Sequence, residues 1–86
     1  MAEDNAASHQ KCTEKFIDLA NAMSEEGMSR ELVSAALMSA SGLYATYTAA
    51  GNEGGLNPSG VEKVVTAYER SLKHIQEVKN KQAGRV

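Results

Sequence analysis

His9 and Cys12 stand three residues apart, a spacing that presents an imidazole and a thiol on one turn of a helix. That pair could supply two ligands to zinc, but a zinc site takes three or four. The other histidine, His74, falls in a different predicted helix, so no metal is expected. As a nucleophile and its base, the pair lacks an identifiable third group to orient the imidazole. Cys12 is expected instead to be a small apolar residue facing the core.

The segment Gly51-Asn-Glu-Gly-Gly-Leu-Asn-Pro-Ser-Gly60 raises two further chemistries. A phosphate-binding loop would end in Gly-Lys-Ser/Thr, whereas this one lacks that ending and carries an acid, Glu53. Read as a calcium loop from Gly51, it places Glu62 at the twelfth position. Gly51 then replaces the first Asp, and Leu56 replaces the glycine needed at the sixth. A helix connection is the expectation, with helix-start amides that could hold an anion only weakly. Tyr44, Tyr47 and Tyr68 could line a groove, but they fall on apolar stripes and are expected to be core with hydroxyls at the rim. Met23, Met28 and Met38 read as gap fillers. No paired carboxylates or complete nucleophile set stands at a readable spacing. The protein is therefore expected not to be an enzyme and to need no cofactor.

The elements that place these residues are helical. Phe16, Leu19, Ala20 and Met23 follow Cys12 at steps of four, three, one and three, one face of a helix. This helix is expected to begin near Ser8, with Lys11–Glu14 and Lys15–Asp18 paired at i,i+3, and to stop at Gly27. Ser29 is a plausible N-cap for a second helix, with Met28 and Val33 at staple spacing. Asn57 caps a third, with Pro58 at N1, where its missing amide costs nothing; Leu56 and Val61 again have staple spacing. Val61, Val64, Val65, Tyr68, Leu72 and Ile75 form its stripe, with Val78 at the edge, and the helix is expected to reach about Gln82. Glu69–Lys73 and Glu77–Lys81 are i,i+4 pairs in the favoured order. The expected fold is an all-α, three-helix bundle with a long C-terminal helix. Residues 1–7 are expected to be a disordered tail, 8–82 a single helical domain and 83–86 a frayed end.

Composition limits the function classes. An 86-residue chain is one small domain. Its hydrophobic fraction is 42%, but much of that is alanine, with no Trp and one Phe. Such a thin core roughly breaks even against an ordering cost of about 1.5 kcal/mol per residue, so tight packing or self-association is expected. One cysteine excludes an internal disulfide framework and favours a reducing compartment. Residues 1–31 carry a net −4, residues 58–86 a net +3, and the whole chain −2, which excludes a globally basic nucleic-acid binder. Arg70, Lys73, Lys79, Lys81 and Arg85 crowd the third helix, where the helix dipole favours cations near the C-terminus. No aromatic stands after Lys73 to stack on bases, so no nucleic acid is expected. The acidic start, Met1-Ala-Glu-Asp-Asn5, has none of the features of a secretory signal. The stretch from Leu32 to Asn52 is 21 residues without a charge, long enough to span a bilayer. Ser34, Ser39, Ser41, Gly42, Thr46 and Thr48 dilute it, so a cytoplasmic protein with no membrane contact is expected.

That uncharged helix has two faces. Val33, Ala36, Leu37, Ala40, Leu43, Tyr44 and Tyr47 share one at about 100° per residue. Ser34, Ala35, Met38, Gly42, Ala45 and Ala49 occupy the other, where a solvated helix would carry Lys or Glu. This small-residue face is either covered by the two neighbouring helices or forms an interaction face with another chain. Helix lengths argue for a partner as well: a third helix of about 36 Å overhangs a first of about 24 Å. A homodimer is the expectation.

The segments Phe16-Ile-Asp-Leu-Ala-Asn21 and Val33-Ser-Ala-Ala-Leu-Met38, continuing to Tyr44-Ala-Thr-Tyr47, resemble a family of small bacterial proteins known only as a domain of unknown function. The resemblance covers about residues 14–78. It implies a bacterial, cytosolic, helical protein and carries over no functional residues. The expected function is a non-enzymatic protein-interaction module; the alternative is a binder of a small ligand or anion between the helices.

Overall fold

The computed structural model describes residues 5–51 and 54–84. It is all-α, with three helices: α1 (Asn5–Glu25), α2 (Arg30–Ala50) and α3 (Pro58–Gln82). The long C-terminal helix is present as expected, and no strand occurs among the described residues.

Local chemistry sets each boundary. At the end of α1 the amides of Gly27 and Met28 donate to the carbonyls of Ser24 and Met23, at 3.0 and 3.2 Å. This is the paired Schellman closure, and it needs a left-handed residue at Gly27, whose φ is +105°. Ser29 then caps α2: its Oγ accepts from the Leu32 amide at 3.1 Å. Asn57 caps α3 in the same way, Oδ1 accepting from the Gly60 amide at 2.8 Å, with Pro58 in the first turn. The leucine before that cap lies over the turn. A Cβ added to Gly60 would meet Leu56 Cβ and Cδ2 at 3.4 Å. Gly54 folds back so tightly on the end of α2 that an added Cβ would sit 2.5 Å from the Ala50 carbonyl oxygen.

The chain divides into two compact units, residues 1–42 and 43–86. In the first, Ala20 of α1 and Val33 of α2 are buried, with Ala22, Met23 and Leu37 half-buried around them. In the second, Ala45, Thr46 and Ala50 of α2 and Leu56, Gly60 and Val64 are the half-buried residues. Small side chains make up most of the second interior and part of the first.

Three expectations are corrected here. First, α1 begins at Asn5, not Ser8, and so takes up residues 5–7 of the supposed tail; residues 1–4 lie outside the described part. At 21 residues it equals α2 and is shorter than α3, at 25; the expected length difference between α1 and α3, about 12 Å, falls to about 6 Å. Second, the i,i+3 pairs expected on α1 give way to Gln10, which donates to Glu14 Oε2 at 3.3 Å. On α3 the Glu69–Lys73 pair forms at 3.1 Å, whereas Glu77 lies 3.7 Å from His74. Third, of the C-terminal residues expected to fray, Ala83 closes the helix by donating to the Lys79 carbonyl at 3.0 Å; Arg85 and Val86 lie outside the described residues.

The caps are the testable part of this account. Asn57→Ala removes the acceptor for the Gly60 amide and should destabilise the fold by about 1 kcal/mol. Gly27→Ala meets no atom within 4 Å, so its expected cost, on the order of 1 kcal/mol, is purely conformational. Urea titration at a fixed chain concentration measures both.

Candidate interaction surface

The side chains with chemical potential are dispersed and open. Cys12 is exposed, not turned to the core as expected. His9 is exposed one turn before it, its carbonyl accepting from Thr13 Oγ1 at 2.9 Å. No group of three or more His, Cys, Asp or Glu able to hold a metal occurs among the described residues. Of the glycine-rich connection, Asn52 and Glu53 lie outside the described residues, and Glu62 is exposed in the first turns of α3.

The tyrosines correct the expected core. Tyr44 is 70% exposed, and Tyr47 and Tyr68 are exposed too. Tyr44 and Tyr47 meet edge to face, their ring centroids 6.3 Å apart with planes at 73°, an arrangement favoured by the ring quadrupoles. They are an aromatic pair on the surface of α2, not wall material of a pocket. The shallow open hollow of the second unit runs along α3, lined by Ser59, Val61, Lys63, Val65 and Arg70 among others, and none of the tyrosines reaches it. Lined by one helix alone, it has no second wall with which to enclose a ligand.

The faces of α2 are also redistributed. Of the small-residue face, Ser34, Ala35, Met38, Gly42 and Ala49 are exposed, while Ala45 is half-buried inside the second unit. Leu43, Tyr44 and Tyr47, expected as core, stand outward. The physical reason is that periodicity groups residues onto one side of a helix without saying whether that side is covered. Other large apolar side chains stand outward as well, including Phe16, Ile17 and Leu19 of α1, Met38 of α2 and Val65 of α3. These positions could have been suspected only from the thinness of the core.

A model of the family described as "Protein of unknown function (DUF3144)" matches residues 9–77. The chain belongs to that family. No curated protein and no solved structure matches the chain. The DUF3144 match begins within α1 and stops within α3, so the exposed Phe16, Ile17, Leu19, Met38, Leu43 and Tyr44 lie inside the family's domain. No helix among the described residues is long and apolar enough to cross a membrane.

Gly42 offers a direct probe of this surface. It is mid-helix, and a Cβ placed on it meets nothing within 4 Å. Gly42→Ala should therefore raise stability by about 0.5–1 kcal/mol through helix propensity, read as a higher urea midpoint. A loss of stability would mean that another backbone is seated against this position.

Proposed function

We propose that this protein is a non-enzymatic protein-interaction module of the bacterial cytoplasm. One observation carries the reading: Phe16, the three tyrosines, Met38 and Leu43, large and apolar, are exposed. Large apolar side chains facing water favour association, because covering them removes apolar surface from water, and Tyr is among the residues enriched at interface centres. A lone exposed cysteine suits a reducing compartment. The partner this reading requires is a protein, and a homodimer is its simplest form.

The test is photo-crosslinking in the source cell, with benzoylphenylalanine in place of Tyr44. The expected result is one or a few protein adducts of discrete mass, a chain-to-chain adduct included. Recovery of the unmodified chain alone would overturn the reading.

A further inference from the structure

No further inference is drawn: the strongest candidate, the exposed apolar stripe of α3 running from Val61 through Val65, Tyr68 and Leu72 to Ile75, carries nothing, because nothing in the structure shows what covers it.

Discussion

Helices of 21 to 25 residues need an apolar face covered, because in proteins most helical stability comes from packing and not from propensity. That requirement governs everything else in this molecule. Its own cover is slight: Ala20 and Val33 are buried, and a few mostly small residues are half-buried around them. A buried alanine removes far less apolar surface than a buried leucine, at roughly 25 cal/mol per Å². The interior therefore decides where the helices approach, while most of the available hydrophobic free energy remains in side chains that face water.

The helix ends follow from chemistry within three or four residues. Ser29, Asn57 with Pro58, and Gly27 each act on backbone groups close by in the chain, so the sequence is sufficient to locate them. The faces are another matter. Periodicity says that Leu43, Tyr44 and Tyr47 share a side of α2, and they do. It does not say whether that side meets the protein's own chain, since an apolar stripe reads alike whether it is covered from within or from without. In that part of the chain the half-buried residues are Ala45, Thr46, Ala50, Leu56, Gly60 and Val64, most of them small. Nothing in the helix pattern carries that information. Cys12 was misplaced for the same reason: its position on the stripe was right and the cover was absent. The early start of α1 has a different origin. Asn5, Ala6 and Ala7 read as a tail on polarity, but the two alanines are strong helix formers.

The distribution of charge separates the roles of the helices. In α2, Arg30 and Glu31 sit in the first turn and the remaining residues are uncharged, so neither flank of that helix repels an approaching apolar surface. In α3, Glu62, Lys63, Glu69, Arg70 and Lys73 lie on the side away from the Val61–Ile75 stripe, and the Glu69–Lys73 pair is exposed on both partners, with 59% and 74% of their side chains in contact with solvent. Such a pair contributes little to stability. Its effect is to keep one side of the helix wet. A helix with one solvated side and one heptad-spaced apolar side has a defined orientation toward whatever covers it, which is how α3 differs from α2.

The groups with potential for reaction chemistry stand in the open. Electrostatic effects on such groups are strongest in a water-excluding site. Here the imidazoles, the thiol and the tyrosines are exposed. No described side-chain nitrogen or oxygen is buried without a partner, so the interior holds no polar group waiting for a ligand. The unmet demand in this protein is apolar.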